Sequence, residues 1–260
     1  MDILKALLLG IVQGLTEFLP VSSSGHIELG KAILNMNIED DLAFSLIVHL
    51  ATVLSTILVF RKDIGFLFKE LFKFEWNEHT RFISYILISM IPIAILGLCF
   101  EAQIAALFTG NLTLVGISLL VTGGLLLSTT LFKSNTGELT FGKAFLIGLA
   151  QAAAIIPGIS RSGATISTAL NLGISKEQAA RFSFLMVLLP IIGASLLQIK
   201  EIMEAPSLSV DAGILGVGFL GAFASGVAAC TLMLNIVKKG KISYFAYYCF
   251  VVGILAIIFA

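Results

Sequence analysis

The segment "KALLLGIVQGLTEFLPVSSSG" at residues 5–25 returns, without a gap, as "KAFLIGLAQAAAIIPGISRSG" at residues 143–163. Over the wider ranges 5–64 and 143–202, 16 of 60 aligned positions are identical. Chance identity in so apolar a composition is roughly one in ten. The constant offset of 138 residues therefore predicts two structural copies within one chain.

The composition predicts an integral membrane protein. Of the 260 residues, 58% are hydrophobic and 12% are charged, whereas soluble domains carry about 25% charged residues. The sixteen basic and sixteen acidic side chains balance, so no charged tail indicates a nucleic-acid partner. The three cysteines are widely spaced and match no metal-binding pattern. No linker divides the chain, and we expect a single membrane domain over 1–260.

Six apolar stretches are long enough to be membrane-spanning helices, which need about 20 apolar residues. These stretches are 42–60, 82–100, 112–132, 180–199, 212–236 and 243–260. Two further apolar stretches, 1–34 and 143–172, break midway at a proline followed by serines and glycine. Each half has about 10–15 residues, too few to cross a bilayer. We expect these two stretches to form re-entrant hairpins rather than continuous kinked helices.

The three spans between the copies predict that the second copy enters the membrane from the opposite face. Inverted repeats of this kind place their binding site near the midplane, where broken helices meet. If loop 61–81 is cytoplasmic, twelve basic residues lie inside and three outside, as the positive-inside rule requires. Both termini are then external, and the first hairpin dips in from outside. The expected fold class is all-α and polytopic, with six spans and two broken-helix hairpins in an inverted repeat.

The polar runs after the two prolines predict an anion-binding site. "SSSGH" at 22–26 and "SRSGAT" at 160–165 should each open a second half-helix, whose N-terminus offers free N–H groups and a positive dipole end. Arg161 adds a planar cation that suits phosphate and is costly at membrane depth, unless it serves only a structural ion pair. Glu17 lies one helical turn after Gln13, on the same face of the first half-helix.

The surroundings of the histidines and of Glu28 suggest different roles for these side chains. His26 follows the break, beside three serines, and is predicted to be catalytic. His49, in the middle of a predicted span, and His79, in the basic loop, are interpreted as structural. Glu28 belongs either at the outer surface or at the rim of the site.

The two copies differ at the positions where catalytic side chains are expected. Ile155 stands opposite Glu17, and Arg161 stands opposite Ser23. Acid–base groups thus belong to the first copy and a fixed positive charge to the second, a division that suits attack on a phosphoryl group. A transporter that flips phosphorylated prenyl lipid is the alternative. It would need the same anion site and Arg161, but no nucleophile and base.

The motifs "QGLTEFLPVSSSGH" at 13–26 and "PGISRSGAT" at 157–165 resemble the two signatures of the bacterial undecaprenyl-diphosphatases, the bacitracin-resistance phosphatases. Both signatures match completely, and the predicted layout fits the whole chain. The resemblance implies hydrolysis of undecaprenyl diphosphate to undecaprenyl phosphate and inorganic phosphate, which recycles the lipid carrier of cell-wall precursors. It also implies a multi-pass protein of the plasma membrane whose site opens to the outer face.

Both the motifs and the resemblance select the site residues. Those expected to be catalytic are Glu17, Ser23, His26 and Arg161. Those expected to bind the substrate are Gln13, Ser22, Ser24, Gly25, Ser160, Ser162, Gly163 and Thr165. We expect Glu17 to orient His26, and either Ser23 attacks with His26 as base or His26 attacks directly. Gln13 and Glu17 are candidate ligands, together with substrate phosphates, for Mg²⁺ or Ca²⁺, because hard cations take oxygen ligands. The neutral amide of Gln13 weakens the case for tight metal binding.

Overall fold

A computed structural model of the chain describes residues 2–34, 41–107, 110–131, 137–204 and 211–260. These ranges are almost entirely helical, with one isolated backbone bridge between Gly137 and Ile174. In chain order the helices are α1 (Ile3–Phe18), α2 (Ser23–Leu34), α3 (Asp41–Val59), α4 (Arg61–Leu71), α5 (Glu78–Cys99), α6 (Glu101–Ala105), α7 (Leu112–Ser128), α8 (Phe141–Ala153), α9 (Arg161–Asn171), α10 (Lys176–Met186), α11 (Leu188–Glu204), α12 (Ala212–Lys238) and α13 (Tyr244–Ile258). Met1 and Phe132, at the ends of two predicted stretches, lie outside the described residues.

A helix occupies each of the six apolar stretches that were predicted to span. Among the described residues, α5, α12 and the segment Lys176–Leu197 across α10 and α11 are long and apolar enough to cross a membrane. The pair formed by α3 and α4 adds a fourth candidate if the two helices are counted as one bent span. α7 and α13 are apolar but shorter, with 17 and 15 residues. The protein is therefore an all-helical, polytopic membrane protein.

Residues 61–81, predicted as a loop, contain a helix. α4 turns by 76° from the direction of α3 at Phe60. Its side chains mix charges with exposed aromatic residues such as Phe66 and Phe68. Asp63 accepts a hydrogen bond of 2.7 Å from Arg181, which fixes the start of α4 against the middle of α10.

Both broken stretches fold back on themselves. In the first, Gly30 of α2 packs so close to α1 that an added Cβ would lie 3.1 Å from Leu9 Cδ2. In the second, the N–H of Gly137, before α8, donates to the carbonyl of Gly173, after α9, over 2.8 Å. Each stretch is therefore two helices folded back on each other and not one continuous kinked helix; their re-entry into the membrane stays a prediction.

The two hairpins pack against the rest of the bundle in corresponding ways. α1 packs on α12, and α8 packs on α5. Gly10 and Gly148, which are aligned in the repeat, make each approach possible. A Cβ on Gly10 would lie 2.3 Å from the carbonyl oxygen of Gly218, and a Cβ on Gly148 would lie 2.4 Å from that of Ser89. This packing brings the two breaks into the interior of the bundle.

Candidate active site

The start of each second half-helix is capped in the same way. The Oγ of Ser22 accepts the N–H of Gly25 at 3.3 Å, and the Oγ of Ser160 accepts the N–H of Gly163 at 3.1 Å. In each break this serine also lies 3.3 Å from the hydroxyl of the serine two residues later. Such caps satisfy one of the free N–H groups of a helix start. Ser22 differs in having φ of 71°, a left-handed conformation that is uncommon for serine.

The two breaks lie against each other. The hydroxyl of Ser162 donates to the carbonyl of Leu19, in the first break, over 3.2 Å. A Cβ on Gly25 would lie only 3.1 Å from the Cα of Gly158. Thr122 of α7 also holds the second break in place, because its hydroxyl donates to the carbonyl of Gly158 over 3.1 Å. The predicted approach of the two half-helix starts is therefore confirmed.

Glu17 is the centre of a polar network that joins both copies of the repeat. Its side chain is buried, and its Oε2 accepts from the hydroxyl of Ser23 at 2.6 Å and from Nε2 of Gln13 at 3.0 Å. Its Oε1 forms an ion pair with Nη2 of Arg161. The other terminal nitrogen of Arg161, Nη1, has no hydrogen-bond partner among the described residues. The network thus presents a serine hydroxyl held by a carboxylate, next to an unsatisfied guanidinium N–H group.

His26 lies outside this network. Its Nδ1 is 2.8 Å from the carbonyl oxygen of Ser22, and its Nε2 is 2.8 Å from the hydroxyl of Tyr248 on α13. A carbonyl oxygen only accepts, so Nδ1 carries the hydrogen and Nε2 accepts the O–H of Tyr248. The expectation that Glu17 orients His26 is wrong, because the two oxygens of Glu17 are bound by other groups. No sequence signal identified Tyr248, which lies 222 residues away in the chain.

A cavity of about 640 Å³ opens beside the Glu17 network. The predicted site residues that line it are Gln13, Glu17, Ser22, Ser23, Ser24, Ser160 and Arg161. The other five predicted residues do not line it: they are Gly25, His26, Ser162, Gly163 and Thr165. Gly25 and Ser162 join the two breaks, as described above, and Gly163 donates the N–H that is capped by Ser160. The hydroxyl of Thr165 is hydrogen-bonded to that of Ser183.

The cavity is lined by both polar and apolar side chains. α1, α2 and the break between them supply most of the polar side chains. Its apolar lining comes from α5, the second break, α11 and the residue before α11, and includes Ile93, Ile155, Ile159, Val187, Pro190 and Ile191. A cavity with both kinds of lining can accommodate a charged headgroup together with the start of a hydrocarbon chain.

Several residues that line the cavity were not predicted as site residues. Glu28 forms an ion pair with Lys31 at 3.0 Å and belongs to the cavity wall, so it lies at the site rather than at a separate surface. His49, interpreted as structural, also lines the cavity, with Nδ1 2.7 Å from the carbonyl oxygen of Ser45. Gln151 lines it as well. The repeat alignment was the available signal for Gln151, because this residue aligns with Gln13.

Comparison with known proteins gives matches over nearly the whole chain. The family model described as bacitracin resistance protein BacA matches residues 6–255. The undecaprenyl-diphosphatase of Christiangramia forsetii is 54% identical, over 100% of this chain and 99% of the relative. That of Bacteroides fragilis is 48% identical, over 99% of this chain and 98% of the relative. The undecaprenyl-diphosphatase of Methanobrevibacter smithii is 38% identical, over 98% and 96% of the two chains.

Proposed function

The chain belongs to the family of the bacitracin resistance protein BacA, and on this premise we propose that it hydrolyses undecaprenyl diphosphate to undecaprenyl phosphate and inorganic phosphate. The enzyme is an undecaprenyl-diphosphate phosphatase that recycles the lipid carrier for cell-wall synthesis. The observation that supports this function is the contact of Glu17 with both Ser23 and Arg161 beside a cavity lined by polar and apolar side chains.

In the mechanism we propose, Ser23 is the nucleophile and Glu17 accepts its proton. The Oγ of Ser23 attacks the terminal phosphorus while its proton passes to Oε2 of Glu17, a path supported by their 2.6 Å hydrogen bond. The bond from this phosphorus to the bridging oxygen breaks, and undecaprenyl phosphate leaves with the electron pair. Water then attacks the phosphorus of the phosphoserine and the bond from phosphorus to Oγ breaks. Glu17 returns its proton to Oγ, so inorganic phosphate is released and Ser23 is restored. His26 has less support as base or nucleophile, because both of its ring nitrogens are already hydrogen-bonded.

Arg161 holds both the carboxylate and the transferred phosphoryl group in this scheme. Its Nη2 binds Glu17, and its Nη1 is left to donate to a phosphoryl oxygen. A fixed donor in a site of low polarity stabilises charge that develops in the transition state. Free N–H groups at the starts of α2 and α9 add to this stabilisation.

A divalent ion fits this site only when the substrate brings part of its ligand set. Among the described residues, no group of three or more acidic, histidine or cysteine side chains is arranged to hold a metal. The charge of Glu17 is balanced by Arg161, but Oε1 of Gln13 is buried and without a hydrogen-bond partner there. Gln13 and Glu17, with phosphate oxygens, would therefore hold Mg²⁺ or Ca²⁺. When bound, the ion would neutralise charge on the diphosphate.

We also propose six membrane spans in an inverted repeat, with the site open to the outer face of the plasma membrane. Two ion pairs support this topology because each joins chain segments assigned to the cytoplasmic face: Arg181 with Asp63, and Lys238 with Glu177. The corresponding environments of α1 and α8 support the repeat.

A transporter of phosphorylated prenyl lipid is not favoured. A carrier needs charged groups that bind its cargo, but it gains nothing from a serine hydroxyl held by a carboxylate. Ser23 and Glu17 are paired in this way on one copy only, since the second copy has Arg161 and Ile155 at the aligned positions.

The test is release of inorganic phosphate from undecaprenyl diphosphate by the purified protein in detergent, where transport is impossible. We expect turnover in the wild type and its loss in Glu17→Gln. Glu70→Gln is the matched control, because Glu70 is as buried as Glu17 and also ion-paired, but bonds Lys73 away from the cavity. The proposal is overturned if the wild type releases no phosphate, and the role of Glu17 if Glu17→Gln matches Glu70→Gln.

A further inference from the structure

Gln151 carries a buried amide that the protein leaves unsatisfied. The side chain is 1% exposed, and neither its Nε2 nor its Oε1 has a hydrogen-bond partner among the described residues. It lines the cavity beside the Glu17 network. A buried amide without a partner is costly, so its position beside a cavity indicates that a ligand completes its hydrogen bonds.

The broken symmetry of the repeat explains why this amide is free. Gln13, at the aligned position of the first copy, donates Nε2 to Glu17 four residues later. Four residues after Gln151 the second copy has Ile155, which accepts no hydrogen bond. The two glutamines therefore face one cavity from opposite copies, but only Gln13 is bound by a carboxylate.

The position of Gln151 indicates which part of the ligand it meets. Directly after α8, Ala154, Ile155 and Ile159 give the cavity an apolar lining. Ser23 and Glu17 line the same cavity from the first copy of the repeat. Because Gln151 precedes Ile155 by about one helical turn, a prenyl diphosphate with its terminal phosphate at Ser23 and its hydrocarbon along these apolar residues would bring the lipid-linked phosphate to Gln151.

We propose that Gln151 binds the lipid-linked phosphate of a prenyl diphosphate, with its Nε2 donating to a non-bridging oxygen of that phosphate. The proposal rests on the proposed phosphatase function. Gln151 then recognises the group that remains on the lipid, while Arg161 contacts the phosphoryl group that is transferred. The same contact persists in the product undecaprenyl phosphate and is absent in inorganic phosphate.

Two variants of the purified enzyme in detergent test this assignment. Gln151→Met keeps the length of the side chain and removes its donor, and Gln151→Glu replaces the donor by a carboxylate that repels phosphate. We expect KM for undecaprenyl diphosphate to rise about tenfold or more in Gln151→Met and further in Gln151→Glu, the effect of losing a hydrogen bond to a charged group. The inhibition constant of undecaprenyl phosphate should rise in parallel, while that of inorganic phosphate stays unchanged.

Ser167→Ala is the control for loss of a buried polar group, because the hydroxyl of Ser167 also has no partner among the described residues but does not line the cavity. We expect wild-type KM in this control. The melting temperature of Gln151→Met should not fall, since no protein contact is lost. Wild-type KM and product inhibition in Gln151→Met would overturn this inference alone, as would equally weakened inhibition by inorganic phosphate. An inactive wild type would overturn it together with the phosphatase function.

Discussion

Ser23 donates its hydroxyl to Oε2 of Glu17 across 2.6 Å, while the other oxygen of the same carboxylate is bound by Arg161. Ser23 and Glu17 come from the first copy of the repeat and Arg161 from the second. The carboxylate is therefore positioned to take a proton on one side and to hold a cation on the other. Each of these roles predicts a different kinetic result.

Ser23→Ala should abolish turnover, because the variant lacks the attacking oxygen. We expect kcat to fall by a factor of roughly 10³ or more, as for other nucleophiles that act with a base. Acid quenching of the wild type with substrate labelled in the terminal phosphate should trap label on Ser23. Ser24→Ala is the control, since Ser24 lines the same cavity but is paired with Ser22 rather than Glu17; its loss should be much smaller. Equal losses in the two variants would contradict the assignment.

Arg161→Lys should be crippled, and Arg161→Ala should be worse. Lysine keeps the charge but has a single terminal nitrogen, so it lacks the planar fork in which one nitrogen binds Glu17 while the other donates to a phosphoryl oxygen. We expect kcat to fall by about 10²–10³ with a smaller change in KM. Steady-state kinetics on the folded variants measure both constants. Wild-type turnover in Arg161→Lys would assign Arg161 a purely structural charge.

His26→Asn should retain more activity than His26→Ala. The Nδ2 of asparagine takes the position of Nδ1 and donates to the carbonyl of Ser22, which keeps the strained residue before Ser23 in place. We expect His26→Ala to lose nearly all turnover and His26→Asn to recover a measurable part of it. Tyr248→Phe, which removes only the hydroxyl that reaches Nε2, should lower kcat by a few-fold, about the effect of one hydrogen bond. If asparagine is as inactive as alanine, His26 takes part in the chemistry itself.

Gly158→Ala should destabilise the fold. Gly158 has φ of 95°, and an added Cβ would lie 2.5 Å from the carbonyl oxygen of Val115. We expect a loss of about 1–3 kcal/mol, seen as a lower unfolding temperature in detergent. Gly124→Ala is the control on α7, because a Cβ there meets nothing within 4 Å. It should be neutral or stabilise by up to about 1 kcal/mol; an equal loss in both variants would argue against close packing at the break.

The native cysteines report the topology. Cys99, at the end of α5, is exposed, whereas Cys230 and Cys249 are buried. With loop 61–81 in the cytoplasm, α5 ends outside, so a membrane-impermeant maleimide should label Cys99 in intact spheroplasts. Cys99→Ser should abolish this label. Labelling that appears only after lysis would reverse the topology.

The hairpins and the starts of their second halves could be predicted from the sequence, because proline, serine and glycine act on the backbone within a few residues. The start of α9 directly after Ser160 is such a local effect. α4 was missed because Arg61, Lys62 and Asp63 suggested a solvated loop. The helix is docked by contacts with distant residues: Asp63 is ion-paired with Arg181, and Leu67 is buried in the core.

In the site as well, features set by neighbouring residues could be predicted, whereas those set by the packing of distant helices could not. The motifs selected Glu17 and Arg161, and the repeat alignment predicted that their breaks meet. The direction of His26 depends on Tyr248, whose position follows from how α13 packs and not from any residue near His26. A motif identifies the side chains of a site, but which hydrogen bonds they form also depends on helices that are distant in the sequence.

The 144 residues between Glu17 and Arg161 also set an order of events during synthesis. At about 5–20 residues per second, roughly 7–30 s pass between the emergence of the carboxylate and that of its cation. Glu17 must wait through this interval without its final partner, in a segment too short to span the bilayer alone. During this interval the nascent first half is incompletely folded, and it is then most accessible to quality-control proteases. If the ribosome stalls before Arg161 is made, the fragment lacks the cation that pairs with Glu17 in the folded protein.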